Sequence, residues 1–425
     1  METHPFRALR YSQKTIDAVG LDKLAAPPYD RVSPEIREKL YAASPANIVR
    51  FDARREEPGE DVYAAAAGQL KSWLDSGIME HERSAAMWIH QVVFSGRDGS
   101  TKIRRSLVAL VRVEEYEGGS IRPHERTLAK AKEDRLKLLQ ASHADFGMVF
   151  LLTRAPLEEA LETKRAPQLT CRDLAGNRHD AWRVEDPADH VRFQRLLSTA
   201  GALIADGHHR YETALKFSKM PEAEKLPSVK MKLCAIVDVA SPGLEAFAIP
   251  RLVSGLPNFS VRASLKRAAD YFEPTAFASV KEGRRALAGL PGNRNGFLLV
   301  TKGEPPTLLV LKEKPAPLSW PEGKREAWRR LDVAVLEVAF FWSVLNISPA
   351  EIEHGEFVSF PKDEAAAIAA AQAGAGSLAI LLRPTPIGAV QEVVAQGDVL
   401  PQKSTLFEPK MISGLFGVSL EDQIV

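Results

Sequence analysis

The chain has 425 residues, of which 45% are hydrophobic and 26% charged, with a formal net charge of +1. That length accommodates two or three domains of ordinary globular composition. A charge this close to zero gives no field to steer the chain toward nucleic acid or an anionic membrane, and neither is expected as a partner.

Two cysteines, Cys171 and Cys234, cannot build a disulfide framework and fit a reducing cytoplasm. Cys234 lies in the apolar run Leu233-Cys234-Ala235-Ile236-Val237 and reads as a buried thiol. The opening Met1-Glu2-Thr3-His4-Pro5-Phe6-Arg7 has no apolar targeting core. The longest apolar stretch, Leu331 to Ile347, carries Asp332 and Glu337 and reads as a buried helix rather than a membrane span.

In chain order, the first 30 residues are irregular and end in Ala26-Pro27-Pro28-Tyr29-Asp30, whose prolines enforce extended or turn geometry. Ser33-Pro34 opens a short helix, with Ser33 as its cap. Asn47 to Asp52 reads as a short strand, and Gly59 to Ile78 as an amphipathic helix burying Val62, Ala66, Leu70 and Trp73. Strands over 86–94 and 102–116 flank the turn Ser95 to Gly99. A helix over 127–142 and a strand over 146–153 follow. Residues 154–200 read as a helix, a hairpin around Gly176-Asn177 and a helix from Pro187 to Ala200. After a strand–turn–helix at 201–219 come strands over 230–239 and 245–253. Beyond Pro257, helices and strands alternate to the end, including an Ala-rich helix at 363–373. This irregular alternation indicates an α/β or α+β fold with mixed sheets.

The segment 201–215 carries the strongest chemical signal. A buried strand ends in Asp206, Gly207 makes the turn, and a helix opens on His208, His209 and Arg210. Helix N-termini bind anions, phosphates above all. One reading makes Asp206 a base or metal ligand, with Arg210 and the helix start holding phosphate. The other makes it a simple capping acid.

A second candidate is Ile121 to Thr127, with Glu125 as a carboxylate held outside a helix capped by Thr127; the alternative is an exposed charged turn. The stretch Lys130 to Arg135 reads as a solvated helix face with i,i+4 pairing. A third candidate is the Pro-bounded segment Pro401 to Lys410, where Lys403, Ser404, Thr405 and Lys410 suit phosphate oxygens; the alternative is a strand with solvated lysines. Gly374-Ala375-Gly376 follows a helix and precedes a strand, the reverse of a dinucleotide fingerprint. No P-loop or His-Glu-x-x-His motif occurs. His208 and His209, as helix neighbours, diverge by about 100° and make a poor chelate.

Several segments match a known family in order: Pro5-Phe6-Arg7, Ala26 to Asp30, Trp73 to Met79, His124-Glu125-x-Thr127, Glu133-Asp134-Arg135-Leu136, Asp206 to Tyr211, and Pro401 to Thr405. The whole chain resembles the bacterial and archaeal family known as domain of unknown function 1015. It departs at Ser241-Pro242-Gly243-Leu244 and Ile249-Pro250-Arg251-Leu252, where an acid and a histidine usual in the family are missing.

Residues 120–220 more distantly resemble the ParB/sulfiredoxin superfamily, nearest the free-serine kinases. That resemblance implies three parts: an N-terminal α/β region at 1–118, a ParB/sulfiredoxin-like core at 119–256 with an insertion at 154–200, and a C-terminal α/β domain at 257–425. It also implies a nucleotide-dependent kinase of a small-molecule hydroxyl, such as that of L-serine, with Glu125 and Asp206 as catalytic acids. Gly207, His208, His209, Arg210, Thr213, His124, Thr127, Lys403, Ser404 and Thr405 would hold phosphate or nucleotide. ATP or ADP would be the donor, and Mg²⁺ would bind through Glu125 or Asp206. Two other functions stay open: a nucleotide-binding regulatory protein without phosphotransfer, and a metal-dependent hydrolase.

Overall fold

The computed structural model describes residues 1–125, 129–361, 363–374 and 378–424. Thr127, and Ala375 with Gly376, therefore lie outside the described residues. The fold is mixed α/β, and it falls into two compact units. Unit 1 comprises Met1–Pro123, Thr127–Glu245 and Pro409–Val425, and unit 2 comprises His124–Arg126 and Ala246–Glu408.

Unit 1 is built on a nine-stranded sheet. Its strands are β1 (Thr3–His4), β2 (Met87–Ser95), β3 (Thr101–Arg112), β4 (Ile121–Arg122), β5 (Val149–Thr153), β6 (Leu169–Arg172), β7 (Arg178–Val184), β8 (Ala202–Asp206) and β9 (Met231–Asp238). They lie in the order β4-β8-β5-β9-β3-β2-β7-β6, with β1 beside β3. The β4–β8 and β5–β9 pairs are parallel and the others antiparallel. Every residue of β5 and β9 is buried, as expected for central strands covered on both faces.

The expected boundary after residue 118 is crossed by this sheet, because β3 pairs with β9, which pairs with β5. The segment 154–200 belongs to the sheet rather than standing apart, since its hairpin β6–β7 extends the edge through β2. Helix α1 (Val62–Asp75) starts where the Asp61 carboxylate accepts the Tyr63 and Ala64 N–H groups. Helices α2 (Ala129–Ser142), α3 (Pro187–Ser198) and α4 (His208–Phe217) belong to the same unit. Asn47 to Asp52 is not a strand. The Asn47 side chain accepts the Val49 N–H at 2.9 Å and starts a short helix, Val49–Asp52.

The C-terminal segment returns to unit 1, so the expected C-terminal domain does not run to the chain end. Val418–Ser419 pairs with Ala144–Asp145, and Gly417 exchanges backbone hydrogen bonds with Leu9 at 2.8 Å. Gly417 has to be glycine, because a Cβ there would stand 2.3 Å from the Phe146 ring.

Unit 2 holds a six-stranded antiparallel sheet of β10 (Arg251–Val253), β11 (Phe272–Ala276), β12 (Gly296–Val300), β13 (Thr307–Leu311), β14 (Val358–Ser359) and β15 (Leu378–Leu381), in the order β11-β13-β12-β15-β10-β14. Because β10 belongs to this sheet, unit 2 begins before the expected boundary at 256. Leu298, Val300, Leu308 and Leu381 pack with Leu287 of α5 (Val280–Ala288) and with Ala367 and Ala371 of α6 (Glu364–Ala373). The apolar stretch from Leu331 is helical and largely buried, but changes pitch: Asp332–Val335 is α-helical and Leu336–Trp342 is a π-helix. No described helix is long and apolar enough to cross a membrane.

Candidate functional site

Strand β8 carries an irregularity at its end. Ile204 pairs with Leu151 and Asp206 with Phe150, so Ala205 is the extra residue of a bulge that re-aims Asp206. Gly207 follows at φ 93°, a left-handed conformation open to glycine, and helix α4 begins at His208. Its N-cap is Gly207, which has no side chain to offer. The capping reading of Asp206 is thereby excluded, because its oxygens go elsewhere. Arg210 Nη2 donates to Oδ2 at 2.6 Å, and Lys410 Nζ pairs with Oδ1. Burial by itself raises the Asp206 carboxyl, but Lys410 and Arg210 outweigh it and hold the group well below the usual carboxylate range.

Arg210, expected to hold phosphate, is buried and engaged at both ends of its fork. One terminal nitrogen is on Asp206 and the other on the Met148 carbonyl. Its role here is to brace the acid. Thr213 is buried, and its hydroxyl donates to the Lys132 carbonyl at 3.4 Å; His208 is buried and His209 half-buried.

A second buried pair stands nearby. Lys232 Nζ contacts Asp145 and donates to the Gly147 carbonyl at 2.7 Å. Together these side chains set three cations, Arg210, Lys232 and Lys410, against two carboxylates, Asp145 and Asp206. A cavity of about 30 Å³, room for a water, touches Arg210, Lys232, Asp145, Tyr29, Asp52 and Arg135. Tyr29, Asp52 and Arg135 also line a larger cavity of about 600 Å³, along with Arg37, Tyr63 and Asp134. Arg135 lies 4.0 Å above the Tyr29 ring and pairs with Asp52 at 3.0 Å and Asp134 at 2.6 Å. It is therefore not part of a solvated helix face, and Lys132 likewise reaches Glu212 at 2.8 Å.

The other expected residues meet in unit 2. His124 Nε2 is 2.6 Å from the Thr405 hydroxyl, and the His124 carbonyl accepts the Leu400 N–H at 2.8 Å. Glu125 Oε2 accepts the Lys403 N–H at 3.3 Å, while Ser404 Oγ donates to the Pro401 carbonyl at 2.5 Å. Lys403 itself is exposed and adopts φ 57°. The segments around residues 124 and 403, far apart in sequence, thus form one cluster. Glu125 belongs to unit 2 and Asp206 to unit 1.

Sequence reasoning missed Lys410 as the partner of Asp206, grouping it with Lys403, and it missed the Lys232–Asp145 pair. The second had a signal, since Lys232 is a charged residue inside the apolar run of β9. Asp206 does not fit Mg²⁺ as arranged, because both its oxygens already face cations. Among the described residues, no group of three His, Cys, Asp or Glu stands together to hold a metal ion.

No curated protein sequence matches the chain. Among solved structures, a conserved hypothetical protein from Pyrococcus furiosus is 16% identical with a TM-score of 0.39, over 75% of this chain and 97% of that one. A free serine kinase in complex with AMP is 15% identical with a TM-score of 0.39, over 74% of this chain and 92% of that one. SbnI from Staphylococcus aureus, truncated at its C-terminus, is 11% identical with a TM-score of 0.37, over 74% of this chain and 89% of that one. The family model described as protein of unknown function (DUF1015) matches residues 3–334, and the chain belongs to that family.

Proposed function

We propose that the chain is a nucleotide-dependent phosphotransferase acting on the hydroxyl of a small molecule, with ATP or ADP as donor and free L-serine as the first acceptor to test. The observation that carries this reading is the turn after β8. An ionised, largely buried Asp206 holds two cations beside the N-terminus of helix α4. The N-terminal end of a helix and fixed cations suit a phosphate. The cavity of about 600 Å³ in the same unit has the size of a small-molecule site. The resemblance of residues 120–220 to the free-serine kinases points the same way.

In the reaction, the acceptor oxygen attacks the terminal phosphorus, the bond to the leaving nucleotide breaks, and the acceptor proton passes to a carboxylate. Asp206 is a weak base, because its carboxyl is held so far below neutral pH. We assign proton acceptance to Glu125, the other catalytic acid that the resemblance to the free-serine kinases implies. Asp206 instead fixes Lys410 and Arg210, whose charge offsets that of the transferred phosphoryl group. Any Mg²⁺ enters with the nucleotide.

The test incubates the purified chain with ATP or ADP, Mg²⁺ and hydroxyl amino acids, and follows phosphoamino acid by phosphorus NMR. Glu125→Gln should lower turnover by about 100-fold or more while nucleotide binding persists. Nucleotide binding with no turnover on any acceptor would replace this reading with the regulatory one. Stoichiometric zinc bound through His208 and His209 would replace it with the hydrolase.

A further inference from the structure

Strand β9 carries a lysine inside a run that is otherwise apolar from Met231 to Val237. Lys232 is 2% exposed, and every residue of β9 is buried. Its ammonium contacts the Asp145 carboxylate and donates to the Gly147 carbonyl at 2.7 Å. A buried ion pair is often no more stabilising than apolar side chains of the same volume, so stability does not account for a lysine in this strand. What the pair holds is a turn. Asp145 Oδ1 accepts the Gly147 N–H at 2.9 Å, and β5 begins two residues later at Val149. Cys234 of β9 pairs with Val149, which sets Lys232 beside that turn.

The same turn seats Arg210. The Met148 carbonyl accepts from one terminal nitrogen of Arg210, and the other nitrogen donates to Asp206 at 2.6 Å. The side chain reaches both by passing close over glycine. A Cβ at Gly147 would stand 2.9 Å from Arg210 Cδ, and one at Gly207 would stand 3.2 Å from its Cζ. Cδ lies in the middle of a side chain pinned at its far end, so it cannot give way without disturbing one of those bonds. Gly147 is not among the glycines with positive φ. The backbone there accepts alanine, and the constraint is the space that Arg210 occupies.

We propose that Lys232, Asp145 and Gly147 are positioning residues for Arg210. Lys232 and Asp145 fix the turn, the turn presents the Met148 carbonyl, and Gly147 leaves the passage for the side chain. The guanidinium is thereby held at Asp206 in one orientation. What Arg210 is positioned for rests on the phosphotransfer reading, in which its charge offsets that of the transferred phosphoryl group.

Two variants separate placement from stability. Gly147→Ala sets one methyl against Arg210 Cδ. The double variant Asp145→Leu, Lys232→Met removes both charges together and strands neither. NMR spectra of the isotope-labelled full chain report the Arg210 side-chain N–H groups, assigned by their loss in Arg210→Lys. In both variants these signals should shift and exchange with solvent about tenfold faster or more, while the double variant keeps most of the wild-type urea midpoint. Signals unmoved and as slow to exchange as in wild type, in either variant, would overturn the proposal. This readout needs no turnover. Where serine is phosphorylated, both variants should lower kcat about tenfold or more and leave KM for serine within about twofold. An unchanged kcat with Arg210 displaced would overturn the positioning role and leave the phosphotransfer reading in place. Absence of turnover in the wild type would overturn that reading and leave the placement of Arg210 supported by its spectra.

Discussion

The Arg210–Asp206–Lys410 triad makes an ordered prediction about stability. In Asp206→Asn, two buried cations lose their shared counter-ion at once. In Lys410→Met, Asp206 keeps Arg210, and the excess of one cation in the cluster is removed. The three side chains are 17%, 6% and 12% exposed, so solvent screens them little. Removing one partner of a buried pair costs about 3–5 kcal/mol, and Asp206→Asn belongs in that range. Lys410→Met gives up a charge-assisted hydrogen bond while leaving no orphaned ion, which places it nearer 1–3 kcal/mol.

The sign with pH follows from the depressed carboxyl. The stability contributed by Asp206 is present above the ordinary aspartate range and is lost as pH falls toward its lower folded value. The gap between wild type and Asp206→Asn should therefore be full at pH 7 and shrink below about pH 4. Urea denaturation followed by far-UV circular dichroism, fitted to the transition of unit 1, measures all three proteins. A wild-type-like midpoint for Asp206→Asn, or a larger loss in Lys410→Met than in Asp206→Asn, would refute the reasoning.

Three further outcomes are expected. Lys232→Met strands the Asp145 carboxylate and should cost about 3–5 kcal/mol, with much of it regained in the double variant Asp145→Leu, Lys232→Met; simple additivity in a denaturation cycle would contradict a direct pair. Gly207→Ala forces a Cβ into a left-handed backbone, 3.2 Å from Arg210 Cζ, and should lower the unit 1 midpoint by about 1–2 kcal/mol, whereas an unchanged midpoint would mean the turn tolerates side chains. Glu337 has a raised folded pKa near 7, so it penalises the folded state progressively as pH rises from its ordinary range through 7. Glu337→Gln should therefore stabilise unit 2 by up to about 3 kcal/mol at pH 8 and by little at pH 4. Parallel urea curves at the two pH values decide it.

The strand, glycine and helix around Asp206 were legible because each leaves a local mark: an apolar run, a residue able to take positive φ, and a helical period with no proline. The cap at Ser33 was legible for the same reason, while the helix expected from Gly59 starts after its cap at Asp61. The short helix Val49–Asp52 was not, because Val49 and Phe51 favour strands, and the turn bonds that Asn47 and Ile48 make there carry no mark in the apolar pattern. Lys410 was out of reach of local reasoning. Its partner lies 204 residues earlier, and nothing in the residues beside Lys410 separates it from Lys403. The π-turn at Leu336–Trp342 hid inside a pattern that reads as ordinary apolar helix, since one additional residue per turn barely disturbs hydrophobic periodicity over so short a run.

The return of Pro409–Val425 to the first unit sets a temporal order on the molecule. A ribosome makes Asp206 and all of β1 to β9 long before it makes Lys410, and residues 246–408 of the second unit emerge in the interval. The nascent acid must wait with Arg210 alone, and its electrostatic complement arrives only after that unit has been made. Competence at this turn is thereby coupled to synthesis of the second unit, so a chain released before residue 410 carries the strand and the helix but lacks the ammonium group that finishes them.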